Sequence, residues 1–409
     1  MSAGVPAWVA DDRHARAAWS RIVEPTDRVG ARVASVLGVG AVLRHLFSGT
    51  RLPPSALGDG VSGARGVLEE AADRWRVRAA QADPDRDLAT LARLGGRLLV
   101  PADEHWPSGF LDLGEAAPSC LWVRGGADLG ALSRRGAALV GARAASRYGE
   151  NVAGDLAAGV AQHGLVVVSG GAFGIDAAAH RGTLAVQGTT VAVLACGIDR
   201  AYPLAHENLL SRIAEGGLVV SESPPGAVPT RWRFLERNRL IAATASASVV
   251  VEAAWRSGAL STARHALRVG RPVGAVPGPV SSPSSAGCHR LLRESGAVCV
   301  TDAQEVVELA SSIGEFFATR APEPARAHDG LEGSDLQVYE ALSPRRGSTG
   351  PQLAMAAGLA PAAVQGALGR LGLAGLAVEA AGRTGQTTWR RVAPSSGSRR
   401  PAVGGSEQR

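Results

Sequence analysis

The sequence predicts an α/β protein: a mostly parallel sheet with helices on both faces, preceded by a small helical domain and followed by a winged helix. Three observations carry this expectation. From Gly95 onward, apolar runs of roughly three to six residues alternate with helical patterns and Gly-rich turns, the texture of βα units. The run Leu165-Val166-Val167-Val168 is continuously apolar and β-branched, as a strand buried on both faces requires, and it passes through Ser169-Gly170-Gly171-Ala172-Phe173-Gly174 directly into a helical pattern at Ile175. The chain ahead of Gly95 and beyond Asp335 instead shows helical spacing.

Residues 1–94 form the first expected domain. Apolar spacing is helical from Ala10 to Leu46, and Leu37-Gly38-Val39-Gly40 before Ala41-Val42-Leu43 resembles the turn of a helix-hairpin-helix. Such a turn either presents N–H groups to nucleic-acid phosphates or is simply a close-packed corner. Helical patterning with Arg74, Arg76 and Arg78 runs on to about Leu94.

The central domain is expected over 95–313. Its candidate strands are Leu98 to Val100, Cys120 to Val123, Ala137 to Val140, Leu165 to Val168, Thr190 to Leu194, Leu218 to Val220, Ser248 to Val251, Val273 to Val276 and Ala297 to Val300. Helices fit between most of them, at Asn151 to His163, Ile175 to Val186, Ala205 to Glu215, Arg237 to Ala245, Thr262 to Val269 and Ser285 to Glu294. A polar linker is expected at 314–333. The winged helix is expected at 334–393, with helices at Asp335 to Leu342, Pro351 to Ala357 and Pro361 to Leu371 and a wing from Ala374 to Ala380 and Thr387 to Val392. Its third helix has only Arg370 as a charge, so a protein contact fits it better than reading a DNA groove. The Ser-, Gly- and Arg-rich tail at 394–409 reads as disordered.

Composition narrows the function. The 409-residue chain is 45% hydrophobic and 20% charged, as soluble globular proteins are, and no apolar run approaches the roughly 20 residues that span a bilayer. No secretory signal is visible ahead of Asp11 and Asp12. All 43 residues counted as Lys plus Arg are arginine, and the formal net charge is +6. Every cationic contact is therefore a guanidinium, able to fork onto phosphate or stack on a base. Cys120, Cys196, Cys288 and Cys299 share no C-x-x-C spacing, which points to reduced thiols in the cytoplasm rather than to zinc or disulfides. No metal site, cofactor or catalytic residue is expected.

In an open parallel sheet ligands bind beyond the carboxyl ends of the strands, so the loops there are the candidate site. The turn at Ser169 to Gly174 joins a strand to a helix N-terminus and is a seat for a phosphate. It is not a G-x-G-x-x-G fingerprint, because Ser169 stands at the first glycine, nor a Walker loop, because the chain has no lysine. The other loops bring Gly141 and Arg143, Arg237-Asn238-Arg239, and Ser257-Gly258 with Thr262. Phosphate or single-strand contact is expected from Gly141, Arg143, Ser169, Gly170, Gly171, Phe173, Gly174, Arg237, Asn238, Arg239, Ser257, Gly258 and Thr262. Phe173, Trp232 and Phe234 are the aromatic platforms on which bases would stack. Asp176 reads as a cap or a partner for turn N–H groups rather than a catalyst, and His180 as a core histidine.

Taken in order, Gly141-x-Arg143, Tyr148-Gly149, Ser169-Gly170-x-Ala172-x-Gly174-Ile175-Asp176, Ala179-His180, Ala195-x-Gly197-x-Asp199-x-x-Tyr202-Pro203, Ser221-Glu222, Arg237-Asn238-Arg239-x-Ile241-Ala242, Ser257-Gly258-x-Leu260-x-Thr262-Ala263 and Pro277-Gly278 resemble the DNA-processing protein A (DprA/Smf) family. The likeness is dense from about residue 90 to 305. Phe234-Leu235 departs from the family's usual Phe-Pro, Ala259 from a common Ser, and Phe173 from a frequent basic residue. The resemblance implies an extended Rossmann-like domain, with an N-terminal helical addition of SAM or helix-hairpin-helix type and a winged C-terminal addition. It also implies a homodimer that binds and protects single-stranded DNA and loads the RecA recombinase onto it in natural transformation. The rival reading is a nucleotide N-glycosidic hydrolase of related Rossmann type, with Glu222 or Glu252 as its acid or base. A dinucleotide oxidoreductase fails on the fingerprint.

Overall fold

The computed structural model describes residues 4–58, 61–311, 330–381 and 386–392. Two compact units emerge, Met1–Ala318 and Thr319–Arg409. The expected tail at 394–409 and all of the expected linker except 330–333 lie outside the described residues.

The first unit begins with α1 (Asp12–Ile22), α2 (Arg28–Leu37), α3 (Val39–Ser48), α4 (Ala64–Ala79) and α5 (Pro84–Arg93). Asp11, Asp27 and Asp83 cap α1, α2 and α5, each carboxylate accepting a hydrogen bond from the backbone N–H three residues on. These helices enclose their own core around Trp19 and Trp75, whose rings meet edge to face at 5.4 Å. Among the described residues no single helix is long and apolar enough to cross a membrane; α2 and α3 pass that test only as a pair, bent by 105° at Gly38.

Next come β1 (Gly96–Leu99), β2 (Leu121–Arg124), α6 (Leu129–Ser133), β3 (Gly136–Gly141), α7 (Arg147–Gln162), β4 (Val166–Ser169), α8 (Ile175–Ala185) and β5 (Thr190–Leu194). They are followed by α9 (Glu207–Gly216), β6 (Leu218–Ser221), α10 (Arg231–Thr244), β7 (Ala247–Glu252), α11 (Ala259–Arg268), β8 (Val273–Ala275), α12 (Ala286–Glu294), β9 (Val298–Cys299) and α13 (Ala303–Ala310). The nine strands make one sheet in the order β1-β2-β6-β5-β4-β3-β7-β8-β9. Only the pairings of β2 with β1 and β6 are antiparallel. Alternation at period two splits the sheet's apolar residues between faces: Ala138, Val140, Val166 and Val168 join one core, and Ala137, Leu139, Val167 and Val249 another.

Expected strands of the central sheet and observed ones agree to within about two residues, and α8 starts at Ile175 as expected, but α7, α10 and α11 start earlier than expected. The α10 helix begins at Arg231 rather than Arg237, because the Thr230 hydroxyl accepts the Arg233 N–H at 3.2 Å and caps a turn that reads as loop from its mixed Trp-Arg-Phe composition. Likewise α7 begins at Arg147 rather than Asn151, capped by Ser146. Arg237 and Arg239 therefore sit well inside a helix.

Charged contacts fasten the N-terminal helices to the sheet. Arg21 forks onto the buried Asp87 at 2.7 Å through both contacts and reaches the Pro225 carbonyl at 2.7 Å. Glu24 accepts from Arg233 of α10 at 3.0 and 2.9 Å and also pairs with Arg78. Burial pushes the Glu24 carboxyl up, but Arg233 and Arg78 outweigh it and hold the group below its ordinary value.

His180 is a core residue, as expected: its Nδ1 donates to Thr190 Oγ1 at 2.8 Å, and that hydroxyl donates to the Val167 carbonyl at 2.7 Å. Burial, reinforced by His206 and Arg237, brings its pKa down to about 3. Above an unfolded pKa near ~6.5 the imidazole is neutral in both states and stability is unaffected. As pH falls from there toward 3, the unfolded chain takes up a proton that the folded chain refuses, and His180 removes about 1.4 kcal/mol of stability per pH unit. Thermal melts between pH 7 and 5 are expected to show a shallower decline for His180→Gln than for the parent chain; equal slopes would refute this.

The second unit is described from residue 330. It holds α14 (Gly333–Ala341), α15 (Gly350–Ala357) and α16 (Pro361–Leu373), and an antiparallel pair, β10 (Ala377–Ala381) and β11 (Thr387–Arg391). Val338, Leu353, Val364, Leu368 and Leu371 form its core.

Candidate nucleic-acid interface

The chain runs from β3 outward through β4, β5 and β6, then crosses back to place β7 on the other side of β3. Connections after β3 and β7 thus leave the sheet in opposite directions, which opens a crevice where parallel sheets bind ligands. A cleft of about 750 Å³ lies there. Its walls are the loop Gly141 to Ala144 after β3, the loop Ala254 to Ala259 after β7 and the first turns of α10.

Of the residues expected at the site, Gly141, Arg143, Arg237, Asn238, Ser257, Gly258 and Thr262 line this cleft. Arg231 and Arg256, not among the expected residues, line it too, and so does Tyr202. Phe234 lines it as well, with the Arg143 guanidinium 4.1 Å from the ring centroid, Arg237 at 6.0 Å and the Tyr202 ring at 5.5 Å. Arg143, Arg231 and Arg256 are exposed and make no hydrogen bond or ion pair with any described residue. The only carboxylate lining the cleft among the described residues is Asp176. Burial raises its pKa against the pull of Arg237 and Arg143.

Arg237 is buried rather than displayed. Its Nη1 donates to the Gly170 carbonyl at 2.7 Å and to the Val193 carbonyl, its Nε to Asn238 Oδ1 at 3.3 Å, while Nη2 has no hydrogen-bond acceptor within the described chain. Burial lowers its pKa to about 10, although Asp176 pulls the other way. Asn238 in turn donates to the Gly258 carbonyl at 3.3 Å and ties α10 to the start of α11. Ser257 Oγ accepts the Ala259 N–H at 3.3 Å, and Thr262 is buried just beyond.

The turn expected to seat a phosphate is instead filled by protein. Gly170 is glycine because the Arg237 guanidinium lies where its Cβ would stand, 2.4 Å from Nη2. Gly174 has φ +71°, and a Cβ there would meet the Ala142 carbonyl oxygen at 2.3 Å. The first N–H of α8, on Ile175, donates to that same carbonyl at 3.2 Å, and the Ala172 N–H donates to Asp176 at 3.4 Å, so Asp176 is a partner for a turn N–H, the second of the two structural roles expected of it, and not the cap of α8. Ser169 is fully buried with its hydroxyl on the Leu139 carbonyl, and the Gly171 carbonyl accepts from His206 Nδ1 at 2.9 Å. Phe173 is exposed outside the cleft, its ring edge-on to His206 at 4.7 Å. The turn shapes the site from behind.

Arg239 does not reach the cleft. It is 2% exposed, forks onto Glu222 at 2.7 and 2.9 Å, and donates to the carbonyls of Ala116 and Glu236 at 2.8 and 3.0 Å. A guanidinium so fully engaged has no donor set to offer a phosphate. The acids considered for hydrolysis are elsewhere as well. Glu222 is bound to Arg239, and the buried Glu252 accepts the Ser146 N–H at 2.8 Å at the head of α7.

Comparison with known proteins agrees with this fold. A crystal structure of DNA processing protein A (DprA) from Streptococcus pneumoniae superposes with a TM-score of 0.58 at 30% identity, covering 72% of this chain and 96% of that one. The curated S. pneumoniae DNA processing protein DprA is 41% identical over 191 residues, 47% of this chain and 66% of its own. A Mycobacterium tuberculosis protein carrying the DprA name is 50% identical over 326 residues, 77% of this chain and 80% of its own. The model of the family described as DNA recombination-mediator protein A matches residues 97–311, the whole stretch that builds the sheet and the cleft, and the chain belongs to that family.

Proposed function

We propose that this chain binds single-stranded DNA in the cleft between the β3 and β7 loops, without reading its sequence and without cutting it. One observation carries the reading: three exposed, unpaired arginines, Arg143, Arg231 and Arg256, line the same cleft as the Phe234 ring, and Asp176 is the single carboxylate lining it among the described residues. That is the combination that sequence-independent single-strand binding uses, a cationic track for consecutive phosphates with a π face on which a base stacks. Duplex DNA keeps its bases paired and stacked, so a cleft that must admit an unstacked base favours the single strand.

Family membership extends the reading to a cytoplasmic homodimer that protects incoming single strands and hands them to the RecA recombinase in transformation. Residues 1–94 serve as a helical domain beside the central one at 95–313. The second unit is read as a winged helix that contacts protein: Arg370, the one charge on α16, is already paired with Asp335 at 2.7 Å, which leaves that helix little cationic character to offer a phosphate.

Fluorescence anisotropy with labelled oligothymidylate and with a duplex of equal length tests the core claim. Single-strand binding is expected to be the tighter, and Arg143→Ala to weaken it and reduce the slope of log K against log salt by about 0.7, the contribution of one phosphate contact. Equal affinities for the two DNAs, or an unchanged slope, would overturn the proposal.

A further inference from the structure

A second depression of about 430 Å³ lies on the other side of the first turns of α10. Where the cleft takes Arg231, Phe234, Leu235 and Asn238 from that helix, this groove takes Trp232, Glu236 and Arg239. Trp232 and Leu235 are neighbours at i and i+3 on the helix surface, one lining each depression, and they are 56% and 38% exposed. The partition between the two sites is therefore a solvent-facing apolar ridge. Indole presented this way is costly to leave in water and is a sequence-tolerant surface for stacking a base.

Charge around the groove suits the same strand. Arg28, at the first position of α2, and Arg268, in the last turn of α11, both line it and have no hydrogen-bond or ion-pair partner among the described residues. Two of its acidic neighbours are already neutralised, Asp112 by Arg271 at 2.7 Å and Glu115 by Arg32 at 3.3 Å, which leaves Glu236 as the unpaired carboxylate. His265, also in the wall, is lowered to about 4 by burial and then by Arg268, Arg239 and Arg264, as befits an electropositive setting.

We propose that Trp232, with Arg28 and Arg268, is a second station for the same DNA strand, which leaves the cleft over the Trp232–Leu235 ridge and places a later base on the indole and its phosphates on the two arginines. The inference rests on the cleft being the primary single-strand site. It implies that affinity grows with length beyond what the cleft alone can hold, and that the added affinity resides in Trp232.

Anisotropy titrations with oligothymidylates of roughly 4–6 and roughly 16–20 nucleotides, bracketing the range of single-domain site sizes, separate the two. Trp232→Ala is expected to leave the short oligonucleotide unchanged and to weaken the long one by about 5- to 100-fold, the equivalent of one stacked base. Trp232→Phe should recover most of that loss, and Arg28→Ala with Arg268→Ala should reduce the salt slope for the long oligonucleotide only. Arg143→Ala should weaken both lengths. Loss at both lengths on Trp232→Ala, or at neither while Arg143→Ala still acts, overturns the second station and leaves the cleft standing. No binding of either length by the parent chain overturns the cleft, and the station with it. Since Trp232 is more than half exposed, thermal melts of its variants are expected to match the parent.

Discussion

Arg239→Ala is expected to destabilise the fold by roughly 3–5 kcal/mol, the usual cost of removing one partner of a buried ion pair. The guanidinium is 2% exposed and its loss strands Glu222 and the Ala116 carbonyl without their Arg239 donors. Urea unfolding should show the midpoint falling with little change in the denaturant slope. Replacing both partners, as Arg239→Met with Glu222→Leu, should recover much of the deficit, because the stranded charge is then gone. A variant that keeps its midpoint but loses DNA affinity would instead return Arg239 to the interface.

Phe234→Leu is the opposite case. It keeps an apolar side chain of similar reach but removes the π face that lies 4.1 Å from the Arg143 guanidinium. Folding stability is expected to change little. Single-strand affinity should drop about tenfold to a hundredfold, from a lost stack of ~1–3 kcal/mol and a less ordered arginine. Phe234→Tyr should bind nearly as the parent does. If leucine and tyrosine bind alike, the ring is only a wedge between loops and the stacking account is wrong.

The sheet was legible because its central strands are short, apolar and buried on both faces, and several are followed closely by glycine or proline. So was the edge at which the cleft opens, since parallel sheets present such crevices beyond the carboxyl ends of their strands. What failed was the step from residue type to exposure. Arg237-Asn238-Arg239 reads as a basic loop, yet once Thr230 starts α10 six residues earlier, its side chains point in different directions: one under the cleft, one toward α11 and one to Glu222. Glycines after β4 read as room for a phosphate, whereas Gly170 makes room for an arginine of the chain itself. Arg231 and Arg256 carried no motif at all. Their only signal was position, at the first residue of α10 and just past the end of β7, and it becomes decisive once the element boundaries are known.

Glu24 belongs to the N-terminal helices, yet it grips Arg233, two residues from Arg231 and one from Phe234. A chain trimmed to the family's shared core would keep every side chain of the cleft and still lose the brace on the arm that carries them.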